Sequence, residues 1–314
     1  MRVLITGAAG FLGGRLLRQL LHRGSLGGQP VSEVVLADLT VPDLPEQGDI
    51  PVTLLQGNLA EDAYVEALSD HGFDSLFHLA SLLTLQAETD PGAAYAVTVG
   101  ALRRLIEGAR GCPKVVFTSS IAIHGGDLPD EVGDDLNPVP ATTYGTHKAI
   151  NELLIADYSR LGRIDGRSLR LPIVLTRPGA PVPAVSDKVA AILREPLCGV
   201  DVAAPLAPGT QVPVVSAGAV VAALIRLHDV SAADLPPKRA LNLPALTVSV
   251  AEMAEAGARN GATGRVTHAP DPQVQRIVDG WPRRFVSERA LRLGLRPDAD
   301  LDAVIADYLD NREA

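Results

Sequence analysis

Short runs of branched and leucine-rich residues recur along the chain: Val3 to Ile5, Val34 to Leu36, Thr53 to Leu55, Leu76 to Leu79, Val115 to Thr118 and Leu169 to Leu171. Each reads as a buried strand. Between them, apolar positions follow helical spacing, as in Leu12, Leu16, Leu17, Leu20 and Leu21, and later Ile150, Leu153, Leu154 and Leu161, with polar residues on the other face. Alternating strands and helices predict a parallel sheet covered on both faces and joined by right-handed crossovers. After about Pro172 the rhythm changes. Pro172, Pro178, Pro181, Pro183, Pro196, Pro205, Pro208 and Pro213 break the chain into short pieces and predict an irregular cap. Leu241 to Leu243 reads as a strand returning to the sheet, and Val250 to Gly257 and Leu301 to Tyr308 as helices.

Composition narrows the class without changing this picture. With 314 residues, 46% of them hydrophobic and 21% charged, the chain is long enough for a sizeable core and reads as an ordinary soluble globular protein. A formal charge of −9 argues against a nucleic-acid or anionic-membrane partner, which would require a basic footprint. Cys112 and Cys198 are far apart and outside any CxxC pattern, so reduced thiols and a cytoplasmic location are expected. Met1 to Gly14 superficially suggests a signal peptide, but Arg15 and Arg18 follow without a small-residue cleavage pattern. The apolar stretch from Val212 to Ile225 is interrupted by Pro213, Ser216 and Gly218 and falls short of the ~20 residues that span a bilayer.

The first strand runs directly into Gly7, Gly10 and Gly13, a GxxGxxG at a strand-to-helix turn. Glycines there let the backbone approach a pyrophosphate, whose charge is met by the free N–H groups and positive dipole end of the helix. Asp38 closes the second strand, where a carboxylate accepts hydrogen bonds from a ribose diol and repels a 2′-phosphate. It lies somewhat further past Gly13 than usual, and the loop from Gly24 to Pro30 accounts for the excess. Leu39 and Thr40 follow with no arginine to welcome a 2′-phosphate, so NAD is expected rather than NADP. The expected fold is therefore α/β, a doubly wound Rossmann-type parallel sheet over residues 1–171 with a smaller C-terminal substrate-binding cap over 172–314, the segment near 241–243 returning to the sheet.

Thr142-Thr143-Tyr144-Gly145-Thr146-His147-Lys148 opens a helix, with a threonine as N-cap. Tyr144 and Lys148 project from one face, one turn apart. A phenol with a reference pKa of about 10 is a poor base at neutral pH, and a neighbouring ammonium favours the phenolate. Tyr144 can then take the proton of an alcohol while hydride leaves for the cofactor. The strand Val115 to Thr118 runs into Ser119-Ser120 at a carboxyl end, where such folds place their ligands. Successive strand residues point to opposite faces, so one serine faces the chemistry, and alternation does not say which.

These segments resemble the extended branch of the short-chain dehydrogenase/reductase superfamily over nearly the whole chain. The residues that carry the resemblance are Gly7-Ala8-Ala9-Gly10-Phe11-Leu12-Gly13, Asp38, His78-Leu79-Ala80, Phe117-Thr118-Ser119-Ser120, Tyr144 to Lys148 and Leu169-Arg170-Leu171-Pro172. The resemblance implies Ser120 as the catalytic serine beside Tyr144 and Lys148, with Lys148 also gripping the nicotinamide ribose. It implies a cofactor groove formed by Gly7, Gly10, Phe11, Leu12, Asp38, Asn58, Leu59, Leu79, Ala80, Ser81, Leu171, Pro172 and Val174. Asn58-Leu59 stands where the family usually has Asp-Leu or Asp-Ile beside the adenine. Phe117 to Gly126, Asp157 to Arg160, Arg194 to Leu197 and Gln275 to Pro282 resemble, more narrowly, dehydrogenases that oxidise the C2 hydroxyl of a four-carbon sugar acid. Thr98, Ala101 and Leu102 depart from the family's Asn, Gly and Thr, and Thr84-Leu85-Gln86 differs in the loop expected over the substrate.

A hydroxy acid needs a carboxylate partner, for which Arg177 and Arg284 are candidates, with Thr84 as a further substrate contact. His124 and His147 lie near the catalytic segments, but without a carboxylate cluster or HxxxH spacing no metal is expected. Trp281 is a candidate pocket wall or core residue. The expected function is NAD-dependent oxidation of a secondary alcohol in a small hydroxylated acid. The rivals are a nucleotide-sugar epimerase or dehydratase that retains NAD, a threonine-type dehydrogenase, and a dinucleotide-sensing module, which would have no need of the Tyr144/Lys148 pair. Family members often pair through the tyrosine-bearing helix and the one before it, so a homodimer is expected, with Ile150, Leu153 and Leu154 as contributors.

Overall fold

A computed structural model describes residues 1–42, 48–175 and 184–311. Its first strand, β1 (Arg2–Thr6), buries Val3, Leu4 and Ile5 completely, as an inner parallel strand covered on both faces requires. The chain turns at Gly7 into α1 (Phe11–Arg23), which buries Gly13, Leu16, Leu17 and Leu20 and ends at Gly24 in the left-handed region. A small hairpin pairs Ser25–Leu26 with Gln29–Pro30 and takes up the extra residues between Gly13 and Asp38. Then come β2 (Glu33–Asp38), β3 (Val52–Gln56), α2 (Asp62–His71) and β4 (Ser75–His78).

Thr84 to Gln86, expected in a loop, instead open a short helix, α3 (Thr84–Thr89). The Leu83 N–H donates to the Gln86 side chain at 3.3 Å, which satisfies one of the donors a helix start leaves open. Next, α4 (Pro91–Tyr95) passes through a π-helical turn, Ala96–Gly100, into α5 (Ala101–Gly108). Strand β5 (Lys114–Ser120), helix α6 (Thr143–Arg160) and strand β6 (Asp165–Leu171) follow. Later elements include α7 (Val185–Leu197), α8 (Ala217–Asp229), β7 (Ala240–Asn242) and α9 (Val250–Arg259).

The central sheet has seven strands in the order β7-β6-β5-β4-β1-β2-β3. Neighbours from β5 to β3 are parallel, with Leu4 opposite both Val35 and Leu76. Sequence order reverses between β1 and β4, so this is a doubly wound sheet, and the carboxyl ends of β1, β2, β4 and β5 share one edge. A core of Leu4, Val35, Leu76, Leu105, Val115 and Phe117 packs within it.

The chain forms two compact units. The first holds Met1–Ser120, Thr142–Arg170 and Val221–Leu241; the second holds Ile121–Ala141, Leu171–Val220 and Asn242–Ala314. The second unit is more regular than its prolines suggest. Pro196 lies inside α7, and Pro213 lies within the strand Gln211–Val215 at the centre of a three-stranded sheet with Ile173–Val174 and Leu246–Ser249. Its core includes Ile192, Leu193, Val214, Met253, Val304 and Ile305.

Candidate active site

The glycine turn is built for close backbone approach. Gly7 has φ 73°, and a Cβ there would stand 2.7 Å from the Ala80 nitrogen. A Cβ on Gly13 would stand 2.7 Å from Ala8 Cα, so α1 can lie this close only with glycine at that position. Gly10 caps α1 without a side chain, which leaves the helix's first N–H groups with no side-chain acceptor. Such an uncapped, positively poled helix start, reached by a glycine turn, fits the pyrophosphate of a dinucleotide. Phe11 and Leu12, the first residues of α1, are partly exposed.

Asp38 ends β2 beside this turn. Its Oδ2 accepts from the Ala9 N–H at 2.9 Å, and its Oδ1 accepts from the Thr40 N–H at 3.1 Å. Asn58 lies beyond β3, its Oδ1 accepting from the Ala60 N–H at 2.9 Å, and Leu59 is buried. Leu79, Ala80 and Ser81 follow β4 and are partly exposed.

Helix α6 starts as its sequence dictates: the Thr142 hydroxyl accepts from the Gly145 N–H at 3.0 Å. The Thr143 N–H donates to Glu88 of α3 at 2.6 Å, placing an acid at the positive end of α6. One turn separates Tyr144 from Lys148. Lys148 is 2% exposed, its Nζ donating to the Thr118 carbonyl at 2.8 Å. That nitrogen stands 4.8 Å from the Phe117 ring centroid and 5.4 Å from that of Tyr144.

The two serines at the end of β5 separate clearly. Ser120 hydrogen-bonds Tyr144, whereas Ser119 is buried and donates to Glu152 at 2.5 Å. Alternation along β5 thus turns Ser120 toward the Tyr144/Lys148 pair and Ser119 away from it.

Burial shapes the electrostatics. It pushes the Lys148 amine down from 10.5 to about 7, and it pushes the Tyr144 phenol up against the Ser120 hydrogen bond, which lowers it. His78 is driven down to about 3 by burial and then by the Lys148 charge, so it stays neutral, with its Nδ1 2.8 Å from the Thr6 hydroxyl. Tyr144 must ionise before its oxygen can serve as a base for an alcohol.

Several residues here were given no role by the sequence. Arg170 of β6, which the sequence marks only as part of Leu169-Arg170-Leu171-Pro172, pairs with Glu152 at 2.8 Å inside the protein. Asn151 is fully buried, its Nδ2 donating to the Thr98 carbonyl at 2.9 Å. Because Thr98 acts there through its backbone, the change from the family's Asn leaves that bond intact. His147 packs edge-on to Tyr95 at 5.6 Å between ring centroids.

In the second unit, Leu171 and Pro172 are buried and Val174 lies opposite Val215. His124 packs edge-on to Phe285 at 6.4 Å, Trp281 packs against the core, and Arg284 pairs with Glu131 at 2.9 Å. Arg177 lies outside the described residues.

The model of the NAD dependent epimerase/dehydratase family matches residues 3–229. The chain belongs to this family. NAD is its cofactor, and the chain is an NAD-dependent oxidoreductase of that family. It is 43% identical to a D-erythronate dehydrogenase of Cupriavidus necator over 99% of this chain and 98% of the relative. It is 35% identical to a D-erythronate dehydrogenase of Haemophilus influenzae over 99% of each. A crystal structure described as a nucleoside-diphosphate-sugar epimerase from Agrobacterium tumefaciens superposes with a TM-score of 0.94 at 34% identity, covering 100% of this chain and 94% of the other. Among the described residues, no helix of this family member is long and apolar enough to cross a membrane.

Proposed function

We propose that this protein oxidises the C2 hydroxyl of a small hydroxylated acid, D-erythronate or a close analogue, to the 2-oxo acid. The observation that carries this reading is the Ser120–Tyr144 hydrogen bond one helical turn from buried Lys148. It gains substrate detail from two dehydrogenase relatives that span almost the whole chain.

NAD, when bound, supplies the hydride acceptor. The N–H groups of the turn from Gly7 through Gly10 to Phe11 and Leu12 hold the pyrophosphate, and Asp38 takes the adenosine ribose diol. Asn58 and Leu59 would border the adenine, and Leu79, Ala80, Ser81, Leu171, Pro172 and Val174 would be further contacts of the bound cofactor. Lys148 holds the nicotinamide ribose. Ser120 orients the substrate hydroxyl, Thr84 contacts the rest of the acid, and Arg177 donates to the substrate's carboxylate. Tyr144 accepts the hydroxyl proton as the C2 hydrogen departs with its electron pair, so the alcohol carbon becomes a ketone. Lys148, as ammonium, stabilises the phenolate that receives that proton.

Incubation with NAD⁺ and a panel of four- and five-carbon sugar acids, following NADH absorbance, tests the reading. NADH formation with D-erythronate or a close analogue is the expected result. The likeness to the Agrobacterium structure favours a second reading, epimerisation of a nucleotide sugar. Epimerisation of such a sugar, with no NADH released from any acid, would replace the first reading by the second.

The proposal includes a cytoplasmic homodimer joined through α5 and α6. Leu153, 72% exposed on α6, supports that contact. Sedimentation of Leu153→Glu as a monomer beside a dimeric wild type is the expected outcome.

A further inference from the structure

Helix α6 carries Lys148 and Glu152 four residues apart, the spacing at which a lysine and a carboxylate pair on one helix face. They do not pair. Glu152 is 5% exposed, and groups from two neighbouring strands take its carboxylate. From β6, Arg170 donates through Nη2 to Oε2 at 2.8 Å and through Nε to Oε1 at 2.9 Å. From β5, the Ser119 hydroxyl donates to Oε1 at 2.5 Å. The Lys148 ammonium is left with a neutral acceptor, the Thr118 carbonyl.

We propose that Arg170 is a positioning residue for the Tyr144/Lys148 chemistry: it holds the Glu152 carboxylate against Ser119, away from Lys148, so that the anion left for the ammonium to meet is the oxygen of Tyr144. This rests on Tyr144 acting as the base. A carboxylate seated on Lys148 would satisfy the ammonium permanently and repel a phenolate beside it, weakening Tyr144 as a base. Arg170 is itself 2% exposed, and a buried ion pair contributes little stability against well-packed apolar residues, so stability alone is a weak reason for it. The Ser119 hydroxyl completes the clamp and ties it to the strand end that carries Ser120.

Other titratable groups on elements packed against α6 are engaged elsewhere or stay neutral. His78 of β4 is neutral, and Glu88 of α3 accepts from Thr143. On α5, Arg103 pairs with Glu107, which also accepts from Tyr158, and Arg104 pairs with Asp62. Burial then sets the low pKa of Lys148, with no carboxylate opposing it.

The chain has four lysines, Lys114, Lys148, Lys188 and Lys238, so Lys148 can be followed by ¹³C NMR after reductive methylation of the cofactor-free protein. In Arg170→Gln, Glu152 is released and the Lys148 titration rises by at least about 1 pH unit. In Glu152→Gln the uncompensated Arg170 charge moves it the other way, and the double variant returns toward wild type. The pH profile of kcat follows the same displacements while KM for the acid changes less, and Arg170→Lys recovers part of the wild-type profile. If Arg170→Gln fails to fold, Glu152→Gln alone decides. A Lys148 titration unmoved in Glu152→Gln, or moved in the same direction by both single variants, overturns the proposal. Absence of NADH formation by the wild type with every acid would instead overturn the dehydrogenase reading, and the lysine titration would still be read.

Discussion

At the scale of single residues, the chemistry depends on the phenolic proton of Tyr144. Tyr144→Phe removes the acceptor and keeps the ring, so kcat for oxidation falls by about 10²- to 10⁴-fold while NAD affinity is held within a factor of a few. Stopped-flow turnover and a binding titration check both halves. The pH dependence has a definite sign. As a phenol Tyr144 has no base to offer, and burial pushes that phenol up, so the phenolate fraction grows with pH throughout the neutral range. The oxidation rate therefore rises with pH through the neutral range, and reduction of the product falls over the same range. A rate flat between pH 6 and pH 8 would contradict the assignment. The i,i+4 spacing and the strand-end serines were legible because they are periodic features. The choice of Ser120 over Ser119 was implied by resemblance alone, since it depends on which face of β5 meets α6.

At the scale of elements, the phosphate turn is a steric device before it is an electrostatic one. Gly7→Ala places a methyl 2.7 Å from the Ala80 backbone nitrogen at a φ of 73° that side chains rarely adopt. It costs about 1–3 kcal/mol of stability and lowers NAD affinity at least tenfold. Thermal unfolding and calorimetric titration of NAD measure the two effects, and unaltered affinity would mean that the turn does not approach the cofactor. The glycines could be read directly, because glycine is the residue such a backbone demands. The helix α3 could not: Thr84, Gln86, Glu88 and Thr89 look like a polar loop, and the helix is stabilised by Gln86 and by the contact of Glu88 with α6. The proline-rich region misled in the same way, since Pro196 and Pro213 lie within a helix and a strand that packing holds in place. Nor does Glu152 differ in sequence from a surface glutamate, because its partner Arg170 lies eighteen residues away on strand β6.

At the scale of the whole molecule, titrating groups spread through the first unit give its stability one direction of pH dependence. Glu33 is held down at about 2 by hydrogen bonds from Thr53 and Arg2, against 4.5 when free, so its contribution is present above 4.5 and lost as pH falls through 2. His78 and His228 are driven by burial from 6.5 to about 3 and about 4. Between those values and 6.5 the unfolded chain binds more protons than the folded one, and stability falls with falling pH. Lys148 extends the trend upward, because its depression from 10.5 to about 7 makes stability rise across that interval. Tyr64, pushed by burial and the Asp38 charge from 10.0 to about 12, opposes it: its contribution is full below 10 and lost as pH rises through 12. The melting temperature of the cofactor-free protein is therefore expected to climb from pH 4 to about pH 9. Lys148→Met raises it more at pH 6 than at pH 9, since the folded wild type bears the full cost of the buried ammonium only below about 7. An equal increment at both values would show that Lys148 does not titrate between pH 6 and pH 9.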